Sequence, residues 1–560
     1  MAWKEKIPIT KYNKGDELKE KLGKIRGIKD LEKHLNPTTK ELHSPYLLRN
    51  IEKVKERIMK AIFNNENISL HADIDADGEN STAIIFNYLI NFTKKVKYFH
   101  AQRSEGHGVH LRKDEVPENT DLLIVLDSSS NEWEACKEIS ERGIDIIIID
   151  HHEVNVENDY CILLNDKHKD CNYPNKHTSG SLLAWKVCQV LDDHFLTSYS
   201  DDLIDLAGIG LHSDQMSMLK EENRYIVKSS LENVKNPGVK AILKVLKKDT
   251  SKLTSTDYSF GVTPFLNAAS RMDKIEMAIE LLTTKDEKYA EKLARELQAM
   301  NEERKIKQKA AIERIVPAID LSSKCIIIVD ETLGKNMNGL IASDIANKFK
   351  RPVIVLGKSA ENDDEFHGSF RSFAGFNFLS FVGSMPEVLF SGGHPGAGGV
   401  GIKRNTLDAF QLSLNKGLND VRFDYEVEYD FAVNVSDITE KLINDVAEFA
   451  KVSGNECPEP KFLIKDLYIV KKDTIGKNLD TLKASGFAES ATWAMKKSDL
   501  ESKKPNLTVL KFRVETEYLE EFPIDKTIDV IGNLNLNEWK VFKPKFKIEK
   551  TKQVFIDDYR

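Results

Sequence analysis

Five short runs, at 68–70, 96–99, 122–126, 144–149 and 161–164, restrict the folds open to this chain. They are apolar along most of their length rather than at alternate positions, the pattern of strands covered on both faces. Helical stretches such as 130–142 and 179–193 lie among them. Strands of this kind separated by helices make a parallel sheet with helices on both sides, an α/β fold.

An open parallel sheet places its ligands beyond the carboxyl ends of its strands. Here those ends carry carboxylates and imidazoles. The first run leads into His71-Ala72-Asp73-Ile74-Asp75-Ala76-Asp77-Gly78, on the turn between a strand at 67–70 and a helix at 81–90. Like charges packed this closely repel one another, and a cation is the simplest thing that makes the arrangement favourable. The next runs end in Asp127 and in Asp150-His151-His152, and the apolar segment 206–211 delivers Asp214, read as a further strand end. A lone Asp after a strand is usually the N-cap of the next helix, and a His pair there is more often a satisfied loop pair. The joint pattern favours convergence of Asp75, Asp77, Asp127, His151 and Asp214.

A chain of 560 residues is too long for one core and points to three or four domains. Residues 1–50 are lysine-rich and read as a peripheral arm, with a helical hint at 30–35 broken by Pro37. The α/β pattern occupies 51–275. A long helix at 276–317, too charged to be buried all round, bridges to the next domain and ends at Pro317. A second α/β domain, 318–424, has strands at 325–329 and 353–356 and a helix at 340–349. It carries two loops, His367-Gly368-Ser369-Phe370-Arg371-Ser372 and Ser391-Gly392-Gly393-His394-Pro395-Gly396-Ala397-Gly398-Gly399. Glycines let backbone N–H groups approach an anion, and Arg371 offers a two-pronged phosphate contact. Taken alone, a glycine-rich loop is usually a flexible turn.

From 425 to 560 the pattern is mostly β, with strands expected at 462–470, 507–515, 528–534 and 541–549, as in a small barrel. The stretch 539–547 interleaves aromatic and basic residues and would set Phe546 and Ile548 on one face, Lys545 and Lys547 on the other. An amphipathic strand with a solvated lysine face explains this as well as a nucleic-acid-binding barrel does. Net charge is −8, which disfavours a protein coated in positive charge but leaves room for local basic patches. No apolar run approaches the ~20 residues of a membrane span, and residues 1–6 lack the apolar stretch of a signal peptide. Six cysteines without a CxxC pair argue against a disulfide framework or a zinc site and fit a reducing cytoplasm.

These residues together resemble the DHH phosphoesterase superfamily. His71-x-x-x-Asp75-x-Asp77, Asp127, Asp150-His151-His152 and Asp214 follow its ordered motifs, and Gly392-Gly393-His394 resembles the GGH signature of its associated second domain. Within the superfamily the chain is similar to the RecJ-type single-strand-specific exonucleases. The similarity rests on Leu266-Asn267-Ala268-Ala269-Ser270-Arg271-Met272-Asp273, Glu222-Asn223-Arg224, the long connecting helix and Gly454-Asn455-Glu456-Cys457-Pro458-Glu459-Pro460, and runs from about 60 to the C-terminus. The pattern departs from the family at Arg103-Ser104-Glu105-Gly106-His107-Gly108, at Gly210-Leu211-His212-Ser213 and at Phe370. Those departures bear on substrate grip and rate and suit a divergent member, such as one from a phage or an unusual bacterium.

The resemblance implies a parallel-sheet DHH domain joined by a long helix to a second α/β domain, followed by an OB-like β-barrel. It implies two divalent ions, Mn2+ or Mg2+, the metals that oxygen-dominated ligand sets suit. One would be held by His71, Asp75 and Asp127, the other by Asp77, Asp127, His151 and Asp214. Asp127, Asp150, His151 and His152 form the catalytic group, with His152 on the scissile phosphate and Asp73 and Asp150 orienting their neighbours. Ser369, Arg371, Gly393 and His394, with Asn267 and Arg271, would hold the substrate across a groove too narrow for duplex. The implied activity is 5′→3′ hydrolysis of single-stranded DNA to 5′-mononucleotides in repair and recombination. The protein is expected to be a cytoplasmic monomer that works beside single-strand-binding protein or a helicase, with no membrane partner. Two other readings stay open. One is a phosphodiesterase of short RNA oligomers or small nucleotides. The other is a non-catalytic, Cdc45-like replication scaffold, which would show broken metal ligands where this chain has all six.

Overall fold

The five apolar runs form one parallel sheet in the computed structural model, which describes residues 2–6, 18–359, 362–423, 426–476, 479–493, 495–541 and 547–560. The strand order is Val96–His100, Ile68–Ala72, Leu122–Leu126, Asp145–Ile149, Ile162–Leu164. Register sets Ala72, Leu126, Ile149 and Leu164 abreast. Asp73, Asp127 and Asp150 therefore leave the sheet at one level. That is how three distant stretches of sequence come to share one edge.

Helices Ala76–Leu89 and Gly180–Phe195 pack on each other and enclose a third, Ile204–Ser213. The segment delivering Asp214 is thus a helix and not the strand expected. Leu206, Ala207, Ile209 and Leu211 are all fully buried, and a helix buried on every side is as apolar throughout as a central strand, so periodicity does not separate them.

Two helices, Ile275–Thr283 and Glu287–Ile315, occupy the stretch read as one. Asp286 starts the second, its carboxylate accepting from the N–H groups of Lys288 and Tyr289. At the far end of that helix Ala311 and Ile315 join Ile326, Ile328, Ile341 and Val355 in the core of the second sheet. The sheet runs Val388–His394, Ala397–Lys403, Glu365–Arg371, Val353–Lys358, Ile326–Val329, and only its last pair is parallel. Both glycine-rich stretches expected as loops are strands of this sheet. Their glycines make room for rings: a Cβ on Gly398 would stand 2.6 Å from the Phe370 ring and one on Gly401 2.2 Å from that of Phe390. Glycine inside a strand marks such close approach as often as a turn.

The chain divides into two compact units, one of Met1–Thr39, Ser217–Arg224 and Glu426–Arg560, the other of Lys40–Met216 and Tyr225–Tyr425. In the first, Phe462–Ile475, Thr481–Ala488, Leu507–Lys511, Lys547–Tyr559 and Lys526–Val541 pair in turn and close back on Phe462–Ile475 as a barrel. Much of the stretch read as a peripheral arm is built into this unit. Strand Ala2–Glu5 pairs with Glu426–Tyr429, the Trp3 indole N–H donates to Asp558 at 2.7 Å, and the Arg560 guanidinium lies 4.1 Å from the Trp3 ring. Arg224, 2% exposed, donates to the carbonyls of His34 and Val452, both at 2.6 Å. Met218 N–H donates to the Asn455 carbonyl at 3.0 Å. The stretches 222–224 and 454–460 are therefore joints of this unit. Of the alternation at 539–547, residues 542–546 lie outside the described residues. Ile548 is 53% exposed, so it faces outward with Trp539 instead of into the core. Among the described residues no helix is long and apolar enough to cross a membrane.

Candidate metal centre and phosphate cleft

Asp75 caps the helix that starts at Ala76. Its carboxylate accepts from the N–H groups of Asp77 at 3.0 Å and Gly78 at 3.2 Å, where the helix dipole favours negative charge. Burial pushes the Asp75 carboxyl up, but His107, Arg103 and those N–H donors outweigh it and hold it below its ordinary range. Gly78 is required because a Cβ there would stand 2.7 Å from both the Cβ and the carbonyl oxygen of Asp73. Two residues on from Asp75, the Asp77 carboxylate takes N–H groups from Gly180 at 2.7 Å and Ser181 at 3.1 Å, the opening residues of another helix.

Asp127 does not cap a helix. It sits in the left-handed region at φ 62°, turning the chain sharply after its strand, and the next helix begins only at Trp133. The imidazole of His151 lies against it. His151 Nε2 is 3.3 Å from Asp127, 3.2 Å from Asp214 and 4.0 Å from Asp77. Burial lowers the His151 imidazole to about 3, so it is neutral and presents a lone pair. Burial first, then mutual repulsion, pushes Asp77 up to about 6, Asp214 up to about 8 and Asp127 well above the carboxylate range. A divalent cation reverses each of these penalties.

Donor atoms of Asp77, His151 and Asp214 lie within 4.8 Å of one another, as do those of Asp127, His151 and His152, and those of Asp73, Asp75 and Asp127. Both ring nitrogens of His71 and His151, Oδ1 of Asp127 and Oδ1 of Asp73 are buried with no hydrogen-bond partner among the described residues. Buried polar atoms are rarely left so, and this donor set of imidazoles and carboxylates fits hard divalent cations. The geometry differs from expectation at one point: Asp73, expected only to orient its neighbours, groups with Asp75 and Asp127, whereas His71 lies outside all three groups. His71 is fully buried, edge-on to Phe99 at 5.1 Å, and burial keeps it neutral, at about 3.

Asp150 faces its own loop. It accepts from the N–H groups of His151 at 2.7 Å, His152 at 3.1 Å and Ser130 at 3.1 Å, and from His152 Nδ1 at 2.7 Å. Burial works against a charged His152, but the bond and charge of Asp150 prevail and push it up to about 9. The ring is half exposed, and its bond to Asp150 favours the charged form.

A cavity of about 150 Å³ opens beside the carboxylates, lined by Asp75, Asp77, Asp214, Arg103, Asn267 and Arg271 among others. Arg271 donates to the Asn336 carbonyl at 2.8 Å, tying the first domain to the second at this edge. Burial, then the charges of Arg103, Arg304 and Arg371, pulls Arg271 down to about 9, and burial with Arg103 lowers Arg371. Arg103 and Arg271 in one cavity give an anion such as phosphate a favourable place to bind. Ser369 and Arg371 share a strand face. His394 aligns with Arg371 across Ala397, about 10 Å away at two strand spacings. His394 and Gly393 are exposed.

Arg103 and His107 stood in the sequence only within a departure from the family pattern, not as site residues. Arg103 donates to the Ile74 carbonyl at 3.1 Å, and His107 Nδ1 meets Asp73 at 3.0 Å. Both follow the strand Val96–His100, so the strand-end signal that found Asp127 was available for them.

Residues 67–211 match the DHH family, N-terminal domain; 322–420 match the DHHA1 domain; 429–549 match the RecJ OB domain. The chain is homologous to the RecJ single-stranded-DNA-specific exonucleases. Over 516 residues it is 28% identical to the enzyme of that name from Bacillus subtilis, covering 89% of this chain and 63% of that protein. Over 550 residues it is 26% identical to an SPbeta prophage-derived B. subtilis protein, YorK, provisionally named a single-strand DNA-specific exonuclease, covering 92% of each. The RecJ fold of Thermus thermophilus, solved in complex with Mn2+, superposes with a TM-score of 0.77 at 21% identity, covering 96% of this chain and 75% of that one. Its Mg2+ complex gives 0.71 at 20% identity, covering 96% and 74%.

Proposed function

We propose that this chain is a divalent-metal-dependent exonuclease that degrades single-stranded DNA 5′→3′ to 5′-mononucleotides, in repair or recombination. One observation carries the reading: Asp77, Asp127 and Asp214 close around a neutral His151 beside a cavity lined by Arg103 and Arg271. Carboxylates and an unpaired imidazole hold cations; arginines hold phosphate.

Asp77, Asp127, His151 and Asp214 would hold one ion. Asp127 and Asp75 would hold a second, with His71 and Asp73 completing it. Bound there, such ions supply Lewis acidity toward a phosphate oxygen and acidify a water. The protein's groups do the rest. Arg103, Arg271 and Arg371 fix the phosphate, and Ser369, Gly393, His394 and Asn267 hold the neighbouring backbone. His152, kept protonated by Asp150, supports the scissile phosphate and can give a proton to the departing oxygen. Asp150 fixes the loop that presents both histidines. The direction of degradation and the place in repair follow the RecJ homology.

The test is digestion of 5′- and 3′-blocked DNA and RNA strands with Mn2+ or Mg2+. Mononucleotides should appear from DNA unless the 5′ end is blocked, and Asp127→Ala should release none. Equal cleavage of RNA, attack from the 3′ end, or an active Asp127→Ala would overturn the reading.

A further inference from the structure

The wall of the cleft continues beyond the residues that line the cavity. Residues 258–271 are one continuous helical run, the π-helix Tyr258–Val262 followed by the α-helix Thr263–Arg271. From Phe260 onward only four of its residues are not buried: Phe260, Pro264, Asn267 and Arg271. Their spacing of four, three and four is that of a single helix face. Asn267 and Arg271, at one end of the stripe, line the acidic cavity. Phe260, at the other end, is 82% exposed. A single exposed phenylalanine is ordinary on a protein surface. This one lies on the same helix stripe as two cavity residues. The residue before it is fixed to the site as well, since Ser259 Oγ lies 3.3 Å from Nδ1 of His212, two residues before Asp214.

We infer that Phe260 is a stacking platform for a base of the substrate strand. This rests on the nuclease reading above and adds a contact outside the cavity. Seven residues of helix separate Phe260 from Asn267, about 10 Å, or about three stacked nucleotides at roughly 3.4 Å each. An exposed ring accepts any base face, so the contact grips without selecting sequence. It would hold the strand while its end occupies the cavity, and strands too short to reach it would lose that grip.

The test uses the full-length protein in EDTA, so that binding is read without cleavage. Oligodeoxynucleotides carry 2-aminopurine at successive positions. Fluorescence should be quenched most about three nucleotides from the end held at the cavity. Phe260→Ala should abolish that quench and raise Kd about tenfold, the size of one base–aromatic stack. Phe260→Trp should keep both. An abasic nucleotide at that position should erase the difference between Phe260→Ala and the unaltered protein. An unchanged quench and Kd in Phe260→Ala, or a difference that survives the abasic site, overturns the inference alone. An unaltered protein that binds no single strand overturns it together with the nuclease reading. A Phe260-dependent quench without mononucleotide release in Mn2+ supports the stack and sinks the nuclease reading.

Discussion

Adding one methyl group at Gly180 should cost this protein its metal and little of its fold. A Cβ there would lie 2.6 Å from Asp127 Oδ1, 2.7 Å from its Cβ and 2.8 Å from its Cγ. Each distance is about 1 Å short of an ordinary contact. Asp127 has no slack, because its backbone is held in the left-handed region at the end of a buried strand. Its carboxylate must therefore swing away from His151, or the helix starting at Gly180 must withdraw its N–H from Asp77. Overpacking of this kind costs about 1–3 kcal/mol. Alanine in a helix recovers about 0.5–1 kcal/mol relative to glycine, leaving a net destabilisation of about 0–2.5 kcal/mol. The ligand set, however, is displaced by about 1 Å, enough to cost about 100-fold in a positioned reaction. Calorimetric titration with Mn2+, beside denaturant unfolding in EDTA, separates the two effects. Gly180→Ala should bind Mn2+ about 10- to 100-fold more weakly, as when the surroundings of a ligand are disturbed. Gly334→Ala, where a Cβ meets nothing within 4 Å, should match the unaltered protein in both assays. A Gly180→Ala protein with full Mn2+ affinity would refute the assignment of Asp127 as a ligand.

Saturating Mn2+ at about 100 times its Kd should raise stability by about 2.7 kcal/mol, and Asp77→Asn or His151→Ala should abolish that gain in a melting experiment. His152 has a raised pKa, so the stability it adds is complete below about 6.5 and is lost as pH rises through about 9. The activity should fall over the same alkaline limb. In Asp150→Asn that limb should move toward 6.5; identical pH–rate profiles for the two proteins would rule out the pairing. Arg224→Met strands two buried carbonyls and should destabilise the barrel unit by about 3–5 kcal/mol, with Mn2+ affinity unchanged by calorimetry.

The strands of the first sheet and the acidic residues at their ends were legible because continuous apolar runs leave few alternatives. Register was not legible, and register is what sets Asp73, Asp127 and Asp150 at one level. Segment 204–213 was misread because a helix with no exposed face has no polar period to reveal it. The glycine-rich strands were misread because glycine marks turns and tight sheet contacts alike, and only Phe370 and Phe390 in place distinguish them. Arg103 and His107 follow the strand Val96–His100 and so carried the strand-end signal, but the stretch 103–108 was read only as a departure from the family pattern. Asp73 was assigned away from the metals on motif spacing, whereas its burial beside Asp75 and Asp127 is a property of the folded edge.

The pairing of Ala2–Glu5 with Glu426–Tyr429 has a consequence in time. A chain made at about 5–20 residues per second presents the partner strand about 20–80 s after the first one emerges. Until then Trp3 lacks Asp558 and Arg560, and Leu18–Ile25 lacks the helix Glu440–Ala450 on which it packs. These early-made residues are thus among the last to settle and are open to holdase chaperones and proteases in the interval.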